Sequence, residues 1–374
     1  MDKKSIEILF LSEPDMIEAG VLDAERCVQV MDECLALVGK GDYLMGGASR
    51  NEHGLSLFYP ETSEFPSMPL SGPDHRYTAM PAYLGGRFAS MGTKWYGSHS
   101  GNRAKGLPRS ILMVGLNKAD TGEPYAIMSA NLLSAMRTGC VPGVATKYLA
   151  RKNAENLCIV GCGVISHACA KGIISAMTAV KKLFLYDIFP DKAEAFGEEF
   201  KQSHGLEYVV CDSLQQAVEN GDVISIAASG ATPVEVKDEW LRPGCLFTSS
   251  GQSRLSKECM LSCKVVYDHL PLNLDMYKGI MAMAKVQPTP SQYASRFVPI
   301  RALLAGEIEE SSLLSLTDIA SGKFPGRTND EERIIFLSQG LPTEDVAWGV
   351  ECYQNAVAKG LGKRLKLWDG AYWM

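Results

Sequence analysis

The sequence lacks the features that would send a chain to a membrane, to nucleic acid or to a metal. No window approaches the roughly 20 apolar residues of a membrane-spanning helix. The apolar stretch 6–11 is too short for a secretory leader, and Glu13 and Asp15 follow it. No run of lysine or arginine occurs, and the formal net charge is −6; a general nucleic-acid binder or a polybasic membrane anchor would carry the opposite sign. Eleven cysteines are present, but none forms CxxC and none sits at metal-ligand spacing from a histidine. The expectation is free thiols in a reducing cytoplasm and no metal site. Internal repeats and low-complexity tracts are also missing.

What is present is ordinary for a folded chain. Hydrophobic residues make up 46% and charged residues 21%, and 374 residues suffice for two domains. Apolar residues at three- and four-residue steps predict helix over 15–40. Strands are predicted at 55–59, 77–83, 91–97 and 110–117, with a Pro-, Ser- and Gly-rich loop over 60–74. Asp120-Thr121-Gly122 reads as a hairpin turn into 125–128. Small residues mark a helix over 130–150. Strands and helices then alternate, with strands at 157–160, 182–186, 208–210, 223–227, 245–248 and 265–268 and helices at 167–179, 190–204 and 213–220. That alternation predicts an α/β domain with a parallel sheet. Further on, 303–316 reads as helix and loop, 334–337 as a strand, and 343–359 as a helix capped by Gly360.

The segment 155–187 carries the first chemistry. Cys158-Ile159-Val160-Gly161-Cys162-Gly163-Val164-Ile165-Ser166 reads as strand, glycine turn and helix. Gly161 permits a tight turn, and Gly163 lets the backbone approach a pyrophosphate seated on the helix N-terminus. Ser166 is small enough for close helix–strand packing. The next strand ends at Asp187, about 20 residues on, where an acid binds ribose hydroxyls. An acid there repels the extra phosphate of NADP, and no arginine follows closely, so NAD is preferred over NADP.

Four further motifs carry a resemblance: Met80-Pro81-Ala82-Tyr83, Gly92-Thr93-Lys94, Ser134-Ala135-Met136-Arg137-Thr138-Gly139, and Gly340-Leu341-Pro342-Thr343-Glu344-Asp345-Val346-Ala347. With the glycine turn, their order resembles the ornithine cyclodeaminase/mu-crystallin superfamily over nearly the whole chain. The resemblance implies a Rossmann-type NAD(P)-binding domain over 136–339, inserted in a smaller α+β substrate-binding and dimerisation domain made of 1–135 and 340–374. It also implies a homodimer.

Carried over residue by residue, the resemblance assigns Lys94 and Arg137 to the substrate carboxylate, which a guanidinium grips through two parallel hydrogen bonds. An earlier family arginine matches Arg50 or Arg76. Lys94-Trp95, Ser98, Asn102 and Gly106-Leu107-Pro108-Arg109 are similar to the branch that oxidatively cleaves amino-acid–glutamate conjugates, with Arg109 on an additional carboxylate. Arg137 and Thr138 are implied at the cofactor phosphates, with Gly161, Gly163, Val164, Ile165 and Asp187 from the glycine unit and Ser229, Ser250 and Gly251 from later turns.

Two positions depart from the cyclodeaminase pattern. Gln252 stands where that branch carries an aspartate as acid/base, and an amide exchanges no proton at neutral pH. Leu337 stands where an aspartate grips the distal amine of ornithine. Lys94 and Gln252 are therefore the candidates at the reacting centre. His53 and His99 are loop candidates for acid/base, and Glu344 and Asp345 begin a helix, where they serve its dipole as well as any chemistry. The leading expectation is an NAD-dependent dehydrogenase or imine reductase acting at the Cα–N bond of an amino acid, imino acid or opine-like secondary amine. Ornithine cyclodeamination and non-catalytic ligand binding are the alternatives.

Overall fold

The computed structural model describes residues 4–228, 232–285 and 294–373. They form two compact units. Unit 1 comprises Met1–Asp23, Gly41–Ser134 and Leu341–Met374, and unit 2 comprises Ala24–Lys40 and Ala135–Gly340. The resemblance implies 1–135 as one piece. The 24–40 helix instead groups with unit 2, because its apolar face packs on helices there.

In chain order the first elements are β1 (Ile6–Leu11), α1 (Glu13–Glu18), α2 (Ala24–Lys40), β2 (Tyr43–Met45), β3 (Leu55–Phe58), β4 (Arg76–Leu84), β5 (Ser90–Ser98), β6 (Ser110–Lys118), β7 (Pro124–Ser129) and α3 (Asn131–Leu149). The helix predicted over 15–40 is thus two helices, parted at Gly20, whose φ of 92° lies in the left-handed region. The next elements are β8 (Asn156–Val160), α4 (Val164–Ala176), β9 (Lys182–Tyr186), α5 (Pro190–His204), β10 (Glu207–Val210), α6 (Leu214–Asn220), β11 (Val223–Ile226), β12 (Val234–Glu235), β13 (Leu246–Ser249), β14 (Ser253–Arg254), α7 (Lys257–Ser262), β15 (Lys264–Tyr267) and α8 (Leu270–Ala284). The chain ends with α9 (Val298–Leu304), β16 (Leu313–Ser315), α10 (Leu316–Ala320), β17 (Ile334–Leu337), α11 (Pro342–Lys359) and β18 (Lys363–Trp368).

Unit 1 is a sheet with strand order β18-β1-β7-β6-β5-β4-β2, with β3 paired to β4. It is antiparallel except where β1 meets β7. One face is apolar: Met80, Ala82 and Leu84 of β4, Val114 and Leu116 of β6, and Ala126 and Met128 of β7 are buried. Helix α11 covers it. A Cβ added at Gly92 would meet Val346 Cγ2 at 3.0 Å, and one at Gly349 would touch Val114 and Met128. Pro342 opens α11, Glu344 and Asp345 lie in its first turn, Lys359 in its last, and Gly360 closes it at φ 67°. The stretch 6–11 is a strand of this sheet, and 363–368 pairs with it.

Unit 2 is built on a wholly parallel sheet, order β10-β9-β8-β11-β13-β17-β15-β16. Strands β11, β13 and β17 are buried along their length, as strands covered on both faces must be. The order reverses beside β8: β9 lies on one side and β11 on the other. Such a switch point opens a crevice at the carboxyl ends of the strands. Where the sequence suggested helix and loop over 303–316, the chain ends α9 at Leu304 and supplies edge strand β16. Among the described residues, no helix is long and apolar enough to cross a membrane, and no group of three or more His, Cys, Asp or Glu could hold a metal ion.

His269, at the start of α8, is buried, with Nδ1 3.1 Å from Thr317 Oγ1. Burial pushes its pKa down to about 4, against the opposing pull of Asp268. Its unfolded value is about 6.5. The unfolded chain therefore takes a proton that the folded chain refuses between those two values. Stability is complete above pH ~6.5 and falls as pH drops toward 4, by about 3 kcal/mol in all. Urea unfolding at pH 7 and pH 4.5 should register this fall, and His269→Asn should flatten it.

Candidate active site

In unit 2 the crevice beside β8 is shaped by glycines. Gly161 follows β8 at φ 83°, its amide donates to Tyr186 O (2.8 Å), and a Cβ there would lie 2.9 Å from Ala228 Cα. A Cβ at Gly251, after β13, would lie 2.7 Å from Ala228 O. Both positions must be glycine for backbone to close on backbone. Gly163 is the N-cap of α4 and makes no side-chain cap bond, so the first amides of that helix depend on a partner outside it. Val164, the next residue, is exposed.

Small residues bring α3 and α4 to backbone contact. Cβ atoms at Gly139 and Gly143 would lie 2.3 Å from Ala168 C and 2.4 Å from Gly172 O. This register, Gly139 on Ala168 and Gly143 on Gly172, runs the helices parallel. Arg137 and Thr138 immediately precede Gly139 in α3. Arg137 is buried and Thr138 half-buried. Ser166 Oγ is buried and finds no hydrogen-bond partner among the described residues.

Asp187, just past β9, accepts from the amides of Cys162 (2.7 Å, on Oδ2) and Phe189 (2.9 Å, on Oδ1). Its carboxylate is tied to the glycine turn and has lone pairs left for two vicinal hydroxyls. Ile188 and Phe189 beside it are exposed. These features fit a dinucleotide: a cradle that any Cβ would fill, a bare helix N-terminus, and an acid at ribose position. Ser250, after β13, donates its amide to Ile226 O (3.0 Å). Ser229 lies outside the described residues.

In unit 1 the central feature is Lys94. It occupies a cross-strand row that runs Met80, Lys94, Val114, Met128, and it is 3% exposed. Its Nζ lies 2.8 Å from Asp345 Oδ2 and donates to Ser134 Oγ at 3.3 Å. Asp345, in the first turn of α11, is 1% exposed. The sequence presented Asp345 as a helix-dipole residue. The sheet register and the helix position together make it the counter-ion of Lys94, a pairing that sequence spacing does not reveal.

Arg76 and Arg109 also lie in unit 1, and one residue joins them. Asp74 takes Arg76 Nη1 on Oδ1 (3.0 Å) and Arg109 Nη1 on Oδ2 (2.8 Å). Burial would raise the Asp74 pKa, but Arg109 and Arg76 hold it below the usual carboxylate value. No sequence motif points to Asp74. Arg50 lies apart from this group in an exposed turn, at φ 61°. His99 caps a short 3-10 turn through Nδ1, which accepts from Gly101 N (2.8 Å), so it has a local structural task. His53 is half-buried. Gln252 is exposed, and its carbonyl accepts from Val234 N in the short β12–β14 pairing. Leu337 is buried in β17.

Removing one partner of a buried pair strands the other charge, at a cost of about 3–5 kcal/mol. Asp345→Ala should therefore lower stability to urea by about that amount, and Lys94→Met/Asp345→Leu together should restore most of it. A single variant as stable as the parent would contradict the pairing.

A family model for the ornithine cyclodeaminase/mu-crystallin family matches residues 21–360. The N-((2S)-2-amino-2-carboxyethyl)-L-glutamate dehydrogenase of Staphylococcus aureus is 26% identical over 97% of this chain and 99% of its own length. Among solved structures, the Thermococcus litoralis Δ1-pyrroline-2-carboxylate reductase in complex with NADH and L-proline aligns with a TM-score of 0.76, at 26% identity, covering 95% of this chain and 99% of that one. An archaeal alanine dehydrogenase dimer with bound NAD aligns with the same TM-score and identity, covering 97% of this chain and 100% of that one. With its glycine cradle, its lysine in an apolar row and this likeness along its length, the chain belongs to the ornithine cyclodeaminase/mu-crystallin family.

Proposed function

We propose that this chain is an NAD-dependent dehydrogenase or imine reductase that acts at the Cα–N bond of an amino acid, imino acid or opine-like secondary amine. The observation that carries the reading is Lys94: a cation sealed in an apolar row, at a cost the fold does not need, beside the carboxylate of Asp345. The relatives, a conjugate dehydrogenase, an imine reductase and an alanine dehydrogenase, support it.

In this reading Lys94 and Arg137 hold the α-carboxylate of the substrate, Lys94 as a point charge and Arg137 as a planar fork. A fixed carboxylate leaves Cα–H with one orientation, which makes the transfer effectively unimolecular. When bound, the nicotinamide supplies the hydride acceptor or donor. Oxidation also removes a proton from the nitrogen, and with Lys94 charged the carboxylate of Asp345 is the group proposed to take it. Gln252 serves as a neutral hydrogen-bonding side chain and not as an acid. Thr138, Gly161, Gly163, Val164, Ile165, Ser229, Ser250 and Gly251 are assigned to the cofactor's phosphates and nicotinamide side, and Asp187 to the ribose.

NAD is proposed over NADP because the Asp187 carboxylate would face the added phosphate at close range. A homodimer is proposed through the outer face of the unit 1 sheet, where Leu55, Leu57 and Ile111 are exposed. A cytoplasmic setting is proposed on the strength of eleven cysteines, all free and ten of them buried. The substrate domain is proposed as 1–135 with 340–374, apart from the regrouped α2.

The test is a panel of L-amino acids, cyclic imino acids and N-carboxyalkyl amino acids, run with NAD and NADP in both directions and followed by NADH absorbance. Net NADH formation from an amino acid or secondary amine is expected, with NAD preferred at least tenfold. Ornithine converted to proline and ammonia without NADH accumulating would overturn the reading in favour of cyclodeamination.

A further inference from the structure

Asp74 sits in a conformation that few L-residues adopt. Its φ is 55°, in the left-handed region where aspartate and asparagine are the side chains best tolerated. That backbone turn aims a half-exposed carboxylate between two guanidiniums, one oxygen to each. A substrate carboxylate gripped by two arginines would use the same geometry.

The backbones of the two arginines are fixed independently of Asp74. Arg76 starts β4, and its guanidinium lies over the Tyr96 ring, 5.9 Å from its centre. Arg109 immediately precedes β6, and its carbonyl accepts from His99 N (2.9 Å). Around them the floor is fixed. The His75 and His99 rings meet at 4.4 Å, and His75 Nδ1 is 2.7 Å from Leu70 O. The group of Asp74, Arg76 and Arg109 carries one net positive charge in a chain whose overall charge is negative.

The position of this group gives it meaning. Lys94 Nζ lies 5.8 Å from the same Tyr96 ring that Arg76 approaches. A cation assigned to one substrate carboxylate and a second cationic group therefore flank a single aromatic side chain. Ion pairs as exposed as Asp74–Arg76 and Asp74–Arg109 hold weakly against water. An incoming carboxylate that is anchored elsewhere can displace such a partner, because its second contact is effectively intramolecular.

The resemblance places Arg109 on an additional substrate carboxylate; we propose that Asp74 occupies that place as an internal stand-in between Arg76 and Arg109, and yields it to a substrate bearing two carboxylates, such as an amino dicarboxylic acid or an N-carboxyalkyl amino acid. This rests on the assignment of Lys94 to the first carboxylate. Asp74 then acts as a specificity filter: a monocarboxylate gains nothing by displacing it, and a dicarboxylate does.

Calorimetric titration of the NAD-loaded full chain with succinate, glutarate and adipate, against propionate, tests the proposal without turnover. The best dicarboxylate is expected to bind at least tenfold tighter than propionate. Asp74→Asn keeps the turn but removes the charge, and should tighten that dicarboxylate a further fivefold or more while leaving propionate within twofold. Arg109→Gln should abolish the preference with an unchanged melting temperature. A dicarboxylate affinity that is unchanged or weakened in Asp74→Asn overturns the proposal, as does a preference that survives Arg109→Gln. If no amino acid yields NADH but this binding pattern appears, the proposed reaction fails and the second carboxylate site stands.

Discussion

A lysine ammonium and an aspartate carboxylate 2.8 Å apart, both nearly sealed from water, set the terms for the rest of unit 1. Such a pair gives the fold little net stability, because the two desolvation costs consume most of the attraction. An apolar side chain beside Met80 and Val114 would pack as well. The geometry nevertheless commits three elements to it. Strand β5 delivers Lys94 inward, α3 supplies Ser134, and α11 brings Asp345 in its first turn, where the helix dipole favours a negative charge. Gly92 and Gly349 let α11 lie close on the sheet. In the proposed reaction, that expense keeps charge in place before a substrate arrives.

Unit 2 meets the opposite requirement. There the backbone itself must come close to other backbone, and so the side chains are removed. Gly161 and Gly251 close on Ala228, and Gly139, Gly143 and Gly172 bring α3 to α4. The same absence of side chains leaves the α4 N-terminus open. Asp187 then ties the end of β9 to the glycine turn through the Cys162 amide.

The sequence made unit 2 readable because its signals are local. Glycines, strand lengths and the acid after β9 all fall within a few dozen residues, and β9, α5 and β17 have the bounds that their periodicity predicts. Unit 1 was harder. Strand β18 is exposed along its length and shows no burial alternation, and β1 reads as a short apolar run until its two partners are known. Helix α2 lies between two stretches of unit 1 in the sequence, and only packing assigns it to unit 2. At the site, Lys94 was legible as a charge inside an apolar strand. The pairing with Asp345 was not, because it depends on how α11 crosses the sheet. Asp74 was invisible for a related reason: its role follows from a left-handed backbone angle and from two arginines on different strands.

In the proposed reaction a carboxylate is held so that one hydrogen leaves Cα for the nicotinamide and stays there at the end of the turnover. The most direct measurement follows that hydrogen. The best substrate from the panel, deuterated at Cα, is incubated with NAD, and the nicotinamide product is examined by mass spectrometry. One deuterium per NADH, accumulating in step with the oxidised product, is the predicted result. Deuterium that returns to a cyclic amino-acid product with no labelled NADH in solution would contradict the account.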